Sequence, residues 1–280
     1  MISIIIRTFN EPEALSVTLA AVAQQVGTPP FEWVFVDSGS AETTRAIIRN
    51  ALMERPGRLV NMVPGTFTYG RSLNLGIQAA EGDRIVCLSS HCPPMSTDWL
   101  VRLITPLDRP DIEAAYGRQI SLPGINPFDE RTQASLFPET DLLFNTPDSA
   151  CAFSCANGAL KRRVWEANPF HETLSYAEDH LWSQQLLAKG GKIAYVSAAA
   201  VAHAHPVSFY DAFLQSRRSA RAFRCLKKEL GAVPVKRFCF SDWQEDVRRI
   251  RKSGLFLFGW RYFPYRLSQL IGRCLGRRLS

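Results

Sequence analysis

The sequence predicts an α/β fold, a Rossmann-like, doubly wound mixed sheet followed by a basic, aromatic and helical C-terminal appendage. Three observations lead to this prediction. Short apolar runs alternate with segments of helical periodicity through the N-terminal part of the chain. Polar residues stand directly after several of these runs, where a sheet of this kind places its ligands. Residues 217–280 carry 17 Lys and Arg against four Asp and Glu.

The first apolar run is rich in β-branched side chains, as is typical of a strand that is buried on both faces of a parallel sheet. The runs that follow are separated by stretches whose apolar positions recur at helical spacing. In chain order, the sequence predicts strand 2–6, helix 12–25, strand 31–36, helix 41–54, a weaker strand 59–63, helix 72–80 and strand 84–88.

The second half of the chain is less regular. The proline-rich segment 122–148 predicts a long loop that covers or flanks an acceptor. No linker rich in Gly or Ser divides the chain into independent domains. The remaining predicted elements are helix 99–107, strand 112–120, a strand within 152–160, helix 179–189 and strand 192–196.

Composition limits the class of protein. A chain of 280 residues with 46% hydrophobic content can bury a large core, which excludes a disordered or fibrous protein. The seven cysteines show no CxxC spacing, and no basic stretch leads into an apolar signal segment. We therefore expect reduced thiols and a cytoplasmic protein. The chain contains no run of 18 uninterrupted apolar residues, so the sequence predicts no membrane-spanning helix.

The basic tail has two interpretations. Residues 254–271 are too apolar for a simple phosphate-binding arm, and the interleaved Arg261, Arg266 and Arg273 make the segment too charged to span a bilayer. This pattern favours a segment that lies on an anionic membrane surface, at the inner face of the plasma membrane. The alternative is a basic helix that packs on its own domain or in a homo-oligomer interface.

Polar residues near three predicted strand ends are candidates for ligand binding. Asp37 ends a buried strand and precedes Ser-Gly-Ser, so its carboxylate can accept hydrogen bonds from a base or a ribose, or else cap the next helix. Arg71 and Asn74 lie one helical turn apart and can face a diphosphate together, or form an ordinary polar helix face. After the next strand, His91 can ligate a divalent ion or bond a phosphate. Zinc is disfavoured because Cys92 has no second ligand pair at usable spacing.

Two motifs further along the chain suggest catalysis. Glu178 and Asp179 open a helix, whose N-terminus stabilises a carboxylate, so that Asp179 suits a general base and remains ionised. The alternative is simple helix capping. His203 and His205 alternate along an extended segment, so that both point to one side, towards a diphosphate or a metal ion.

Taken together and in order, these motifs resemble the family 2 glycosyltransferases, which have the A-type nucleotide-sugar-binding fold. The resemblance covers residues 2 to about 210. The matching motifs are Ile6-Arg-Thr-Phe-Asn-Glu11, Val36-Asp-Ser-Gly-Ser40, Phe67-Thr-Tyr-Gly-Arg-Ser-Leu-Asn74, Leu88-Ser-Ser-His-Cys92, Tyr116-Gly-Arg-Gln119, Ala156-Asn-Gly158, Tyr176-Ala-Glu-Asp179 and Val201-Ala-His-Ala-His205.

The resemblance implies an inverting transfer of a sugar from a nucleoside-diphosphate sugar to a hydroxyl of a glycan or lipid-linked acceptor. Asp179, with Glu178, would act as the catalytic pair. It also implies a catalytic domain over residues 1–210, with a nucleotide-binding half at about 1–95 and an acceptor half at about 96–210. Residues 211–280 would then be a helical extension. The implied donor-binding residues are Thr8, Glu11, Asp37, Arg71, Asn74, Ser90 and His91, and those implied for metal or diphosphate are His91, His203 and His205.

One motif departs from the family. Ser89-Ser90-His91 stands where the family usually has Asp-x-Asp. Two interpretations therefore stay open: a divalent ion, Mg²⁺ or Mn²⁺, stabilises the leaving group, or Arg and His stabilise it without a metal. The rhamnosyltransferase-like branch is the most similar, and surface polysaccharide synthesis in bacteria is the expected context. Three other classes of protein stay open. The first is a nucleotidyltransferase, although the Gly-rich loop of that class is missing here, and the second is an inactive scaffold subunit. The third is a nucleic-acid-binding protein, which only the basic tail suggests.

Overall fold

The computed structural model describes residues 1–121, 130–147, 153–203, 208–230, 244–248, 251 and 259–278. The chain forms two compact units. The first consists of Met1–Gln119, Pro138–Leu174 and Glu178–His203, and the second of Ile120–Phe137, Ser175–Ala177 and Ala204–Ser280. The sequence predicted a boundary at residue 210, and the second unit takes in two further segments from the expected acceptor half.

The first unit is built on an eight-stranded mixed sheet. Its strands are β1 (Ile2–Thr8), β2 (Phe31–Asp37), β3 (Gly57–Asn61), β4 (Arg84–Ser89), β5 (Ile112–Ile120), β6 (Leu142–Phe144), β7 (Asn157–Lys161) and β8 (Lys192–Ala202), in the spatial order β3-β2-β1-β4-β7-β5-β8-β6. The four strands from β3 to β4 are parallel, and β7 runs antiparallel to both β4 and β5. The predicted doubly wound mixed sheet is confirmed.

Besides a short helical segment at 244–248, nine helices accompany the strands within the described residues. They are α1 (Pro12–Ala23), α2 (Glu42–Glu54), α3 (Tyr69–Ala79), α4 (Trp99–Ile104), α5 (Glu130–Leu136), α6 (Arg162–Ala167), α7 (Glu178–Ala188), α8 (Phe209–Leu230) and α9 (Gly259–Arg278). A 3₁₀ turn, Thr105–Asp108, extends α4 and accounts for the longer helix that the sequence predicted there.

The prediction of a loop over residues 122–148 was wrong where the structure describes this segment. It contains α5 and the short strand β6, which pairs with β8 from Leu142 opposite Tyr195 to Phe144 opposite Ile193. The prolines dominated the sequence pattern and concealed both elements. Residues 122–129 and 148–152 lie outside the described residues, and the strand expected within 152–160 begins at Asn157.

The core of the first unit explains why the early strands read as continuous apolar runs. In β2 every residue is buried, and in β1 all but Arg7 are buried. Helices cover both faces of such a sheet, so neither face needs polar side chains. Trp99 of α4 donates its indole N–H to Asn157 over 2.9 Å, which ties this helix to the start of β7.

Strand direction brings the polar strand ends to one edge of the sheet. Thr8, Asp37 and Ser89 end the parallel strands β1, β2 and β4. Because β7 is antiparallel, its first residue, Asn157, lies at the same edge and pairs with Leu88. The candidate site is therefore assembled at the carboxyl ends of β1, β2 and β4, as the sequence predicted.

Beyond β4, the chain pairs with the end of β8. The N–H of Ala202 donates to the carbonyl of Pro93 over 3.0 Å, and the N–H of Met95 donates to the carbonyl of Ala200 over 3.0 Å. This pairing holds the residues that follow β4 beside the end of β8.

In the second unit, α8 and α9 pack closely against each other. A Cβ atom on Gly272 would lie 2.3 Å from the carbonyl oxygen of Phe213, and one on Gly276 would lie 2.5 Å from that of Arg217. Only glycine allows this approach of the two backbones. No helix within the described residues is both long and apolar enough to cross a membrane.

Candidate active site

The loop after β2 is organised around the carboxylate of Asp37, which is fully buried. The hydroxyl of Thr8 donates to Oδ1 over 3.0 Å. The N–H groups of Gly39 and Ser40 donate to Oδ2 over 3.3 and 3.0 Å, and the guanidinium of Arg45 lies 3.4 Å from the same oxygen. Asp37 therefore joins the end of β1 to the loop that follows β2.

Asp37 is ionised at neutral pH. Burial raises its pKa, but the hydrogen bonds from Ser40 and Thr8 outweigh this effect, and the pKa lies below its ordinary value. Gly39 allows the tight turn, with a φ of 98°. The residue that caps α2 is Ala41, without a side-chain hydrogen bond, so Asp37 does not act as the cap of this helix.

Asn10 connects the loop after β1 with the loop after β2. Its Oδ1 accepts a hydrogen bond from the N–H of Ala41 over 2.7 Å, and its own N–H donates to the hydroxyl of Ser40 over 3.1 Å. Its φ of 54° lies in the left-handed region, which Asn tolerates better than most residues. The two loops thus form one rigid corner beside Asp37.

Glu11 reaches from the start of α1 to the loop after β4. Its Oε2 accepts a hydrogen bond from the hydroxyl of Ser90 and lies 3.1 Å from Nδ1 of His91. The carbonyl of Ser90 accepts a hydrogen bond from Thr18 over 2.8 Å, which anchors this loop on α1. Three of the residues predicted for donor binding, Glu11, Ser90 and His91, are therefore in direct contact.

His203 joins this cluster from the end of β8. Its imidazole centroid lies 5.2 Å from that of His91, and its Nδ1 contacts Oε1 of Gln119. Ligand atoms of His91, Cys92 and His203 lie within 4.8 Å of one another. Burial raises the pKa of the Cys92 thiol, so it stays protonated. His205 lies outside the described residues.

The second half of the site is Asp179, at the second position of α7. Its Oδ1 accepts a hydrogen bond from the N–H of His180 over 2.8 Å, and its Oδ2 accepts one from the N–H of Cys155 over 3.2 Å. Burial nevertheless raises its pKa above the ordinary value. The sequence predicted that the helix N-terminus keeps this carboxylate ionised, and this stays a prediction. Desolvation outweighs the two N–H groups and makes Asp179 a stronger base than an ordinary aspartate.

Glu178 lies deeper than Asp179. Only 5% of its surface is exposed, and burial together with the charge of Asp179 raises its pKa to about 8. Nη1 of Arg7 lies 3.8 Å from its Oε1, and the same guanidinium stacks 4.9 Å above the ring of Tyr69. Glu178 is therefore mostly protonated at neutral pH. Of the two carboxyl groups, that of Asp179 is the one that is only partly buried.

The two residues predicted on α3 differ in their surroundings. The N–H of Arg71 donates to the capping hydroxyl of Thr68 over 3.2 Å, and its guanidinium forms no ion pair within the described residues. The amide of Asn74 is engaged inside the protein. It donates to the carbonyl of Phe170 over 2.8 Å and to Glu172 over 3.0 Å, and it accepts from Trp165 over 2.8 Å.

The sequence missed Arg7 as a site residue. Arg7 and Thr8 are neighbours at the end of β1, where Thr8 contacts Asp37 and Arg7 contacts Glu178. Arg7 thus connects the corner around Asp37 with the acidic pair on α7. The available signal was a single charged residue in a strand whose other residues are all buried.

Solved structures of similar fold include a mannosyltransferase, PcManGT from Pyrobaculum calidifontis, in complex with GDP-Man and Mn²⁺. Its TM-score is 0.64 at 17% identity, and the match covers 95% of this chain and 73% of that one. A second is S. aureus TarS in complex with UDP-GlcNAc, with a TM-score of 0.62 at 18% identity over 91% of this chain and 71% of that one. At these identities the likeness shows the fold, and it confirms the predicted A-type architecture.

The sequence relatives include the O-antigen chain rhamnosyltransferase WbaN of Salmonella anatum. It is 24% identical over 99% of this chain and 88% of its own length. A second O-antigen chain rhamnosyltransferase, RfbN of Salmonella typhimurium, is 24% identical over 100% of this chain and 89% of its own length. Residues 3–167 match the family described as glycosyl transferase family 2. The chain belongs to this family, and the predicted glycosyltransferase is confirmed.

Proposed function

We propose that this glycosyltransferase transfers a sugar with inversion of configuration, with Asp179 as the general base. The single observation that carries the proposal is the acidic pair on α7. Glu178 is buried and mostly protonated, whereas Asp179 is partly accessible and has a raised pKa. One carboxyl group is thus kept neutral, while the other, with its raised pKa, is a stronger base than an ordinary aspartate, as suits a general base.

In the proposed step, Asp179 takes the proton of an acceptor hydroxyl while the oxygen attacks the anomeric carbon of the donor. The bond from this carbon to the diphosphate oxygen breaks, and the nucleoside diphosphate leaves from the opposite face. One carbon–oxygen bond forms and one breaks, so the configuration inverts. Arg7 positions Glu178, and the neutral Glu178 limits the repulsion that a second carboxylate would add beside Asp179.

The donor nucleotide would bind at the corner formed by Thr8, Asp37 and the neighbouring loops. The rigid hydrogen bonding around Asp37 supports a preformed site. Arg71 would approach the diphosphate, because its guanidinium has no ion-pair partner within the described residues. A ligand contact of Asn74 has less support, since its amide already serves three internal partners.

The residues beside β4 fit a transition-metal ion. His91 contacts the carboxylate of Glu11, and the ring of His203 lies beside that of His91. This donor set suits Mn²⁺ better than Mg²⁺, which prefers oxygen ligands in a strict octahedron. When bound, such an ion would stabilise the negative charge that develops on the leaving diphosphate. His205, which follows β8, would be a further ligand by the family resemblance.

The relatives suggest the sugar and the pathway. Two of them are O-antigen chain rhamnosyltransferases that this chain matches over its full length. A deoxyhexosyl donor such as a rhamnose nucleotide is therefore the first candidate, with a glycan or lipid-linked acceptor of bacterial surface polysaccharide synthesis.

The last helix supports peripheral binding to the inner face of the plasma membrane. The exposed side of α9 is apolar along its described length, with Phe263, Leu267 and Leu270 all more than half exposed. Ile271 and Leu275 continue this face at helical spacing, and together we call these five residues the α9 stripe. The positive charge of residues 217–280 favours an anionic lipid surface over a second copy of the same basic helix.

An inactive scaffold subunit is the second candidate, favoured by Ser89-Ser90-His91 in place of two carboxylates. The replacement of Asp179 by Asn separates the two proposals. We expect Asp179→Asn to lower the turnover of sugar transfer by a factor of about 100 to 10,000 while the affinity for the nucleotide stays within about twofold. Turnover is measured as nucleoside diphosphate released from a panel of nucleotide sugars in the presence of glycan or lipid-linked acceptors.

The matched control is Asp141→Asn, which removes a carboxylate that bonds Ser197 in the same unit. This variant should keep the turnover of the wild type. Near-normal turnover in Asp179→Asn would exclude this residue as the base.

A further inference from the structure

The lining of a basic concavity on α8 includes none of the residues assigned above. It has a volume of about 280 Å³ and is lined by Ser175, Leu214, Arg217, Arg218 and Arg221. All five residues belong to the second unit. The three arginines on α8 lie three, four and seven residues after Leu214, so that the four positions share one face of the helix.

Among the described residues, the three guanidinium groups have no protein counter-charge. Within the described part of the chain, none of Arg217, Arg218 and Arg221 forms an ion pair, and Nε of Arg217 is buried without a hydrogen-bond partner. Like charges one turn apart on a helix repel each other. The close approach of Gly276 to the carbonyl of Arg217 packs the backbone of α8 tightly at this position.

The chemistry of the lining identifies the kind of ligand. Guanidinium groups bind phosphate oxygens through two parallel hydrogen bonds, and three of them can neutralise an anion of two to three charges. The hydroxyl of Ser175 adds a further donor, and Leu214 supplies an apolar wall. We propose that this concavity binds the diphosphate group of a substrate.

The position of Ser175 in the chain connects this site with the proposed reaction. Ser175 precedes Asp179 by four residues, and the chain between them spans at most about 14 Å. The short connection between Ser175 and Asp179 in the chain favours a diphosphate that belongs to a substrate of the proposed reaction. This inference rests on the proposed function. Two substrates can supply the diphosphate: the nucleotide-sugar donor, or a lipid-linked acceptor that carries one.

The test compares Arg218→Gln and Arg221→Gln with Lys227→Gln, which removes an exposed charge from the same helix. Binding of inorganic pyrophosphate to the full-length chain is measured by calorimetry at low salt. We expect each arginine variant to weaken this binding about tenfold, and the lysine variant to leave it unchanged. The KM values for the nucleotide sugar and for a polyprenyl diphosphate-linked acceptor are then measured for each variant.

A rise in the acceptor KM alone assigns the site to the acceptor, and a rise in the donor KM alone assigns it to the donor. Equal pyrophosphate affinity in the wild type and both arginine variants overturns the proposal. So does an equal loss in Lys227→Gln, because it shows a general effect of charge. Failure of the proposed function gives a different result, namely a chain that transfers no sugar and binds no nucleoside diphosphate at Asp37.

Discussion

Two carboxylates at the same edge of the sheet have opposite pKa shifts, and local hydrogen bonding explains the difference. Asp37 accepts hydrogen bonds from two N–H groups and a hydroxyl, and these outweigh its burial. Glu178 is equally enclosed, but its nearest cation, Arg7, stands 3.8 Å away, and Asp179 lies beside it. Asp37 therefore stays charged because of its hydrogen bonds, whereas Glu178 stays neutral because it is buried beside a second carboxylate.

The raised pKa of Glu178 predicts how stability depends on pH. The folded protein keeps the proton of Glu178 up to a pKa of about 8, whereas the unfolded chain loses it near the ordinary value of 4.5. Between these values the folded state binds more protons, so this group lowers the free energy of unfolding as the pH rises. Glu178→Gln removes this effect. The free energy of unfolding of the variant is compared with that of the wild type by chemical denaturation at pH 5 and at pH 9. We expect the difference to change in favour of the variant by about 2 kcal/mol or more at the higher pH.

Glu54→Gln is the control, since Glu54 is exposed at the end of α2. Its stability relative to the wild type should not change over this pH range. A stability difference for Glu178→Gln that is the same at pH 5 and pH 9 would contradict a neutral Glu178.

The sequence was sufficient to place Asp37 and His91 at the ends of strands and Asp179 at the start of a helix, while their roles in a site stay predictions. It could not predict that the pKa of Asp179 is raised, because this shift is caused by burial, which depends on tertiary packing. Nor could it predict that Glu11 contacts His91, since 80 residues separate them in the chain.

At the scale of elements, α3 is the helix that clamps the segment leading into α7. The single side-chain amide of Asn74 forms hydrogen bonds with Trp165, Phe170 and Glu172. One turn earlier, Gly70 lies so close to the carbonyl of His171 that a Cβ atom there would come within 2.1 Å of it. The acidic pair is therefore positioned partly by a helix that carries no catalytic group.

Replacement of Asn74 tests this role. Asn74→Ala leaves the indole N–H of Trp165 and the N–H and carbonyl of Phe170 without their partner, and we expect a loss of about 2 to 4 kcal/mol in the free energy of unfolding. Gln78→Ala, an exposed site on the same helix, should cost less than about 0.5 kcal/mol. Both are measured by urea denaturation.

The same variants distinguish a structural role from donor contact. If Asn74 acts only as a clamp, the folded Asn74→Ala protein binds the nucleoside diphosphate with unchanged affinity. A wild-type stability together with a tenfold loss of nucleotide affinity would instead place Asn74 in the donor site, as the resemblance implies.

Element prediction succeeded where periodicity was strong and failed where composition misled it. The strands β1, β2, β4 and β5 were predicted within three residues of their bounds because they are apolar and bordered by helical periodicity. The strand β6 is three residues long and is defined by pairing with β8 rather than by its own sequence. Such an element leaves no periodic signal in the chain.

At the scale of the whole molecule, charge is divided along the sequence. The excess of Lys and Arg falls in residues 217–280, while the N-terminal residues 1–216 carry 22 Asp and Glu against 16 Lys and Arg. The sequence predicted a membrane-binding segment from this pattern. It could not predict the α9 stripe, because the stripe depends on which face of α9 packs against α8.

Vesicle sedimentation tests membrane binding. We expect the wild type to sediment with vesicles that contain anionic phosphatidylglycerol but not with neutral phosphatidylcholine vesicles, and to be released by high salt. Leu267→Glu combined with Leu270→Glu should abolish sedimentation, because it places two charges in the α9 stripe. Met53→Glu, at an exposed apolar position on α2, is the control and should sediment normally. Equal binding of the double variant would exclude the stripe as the contact.

The most direct measurement of the central claim, a nucleotide-sugar site at the carboxyl ends of β1, β2 and β4, is calorimetric titration. The chain is titrated with UDP, GDP, dTDP and CDP, each without metal and with Mn²⁺ or Mg²⁺. We predict that one nucleotide binds selectively, that Mn²⁺ strengthens its binding more than Mg²⁺, and that Asp179→Asn retains it while Asp37→Asn loses it. If no nucleotide binds under any condition, the donor site is absent and the scaffold proposal takes its place.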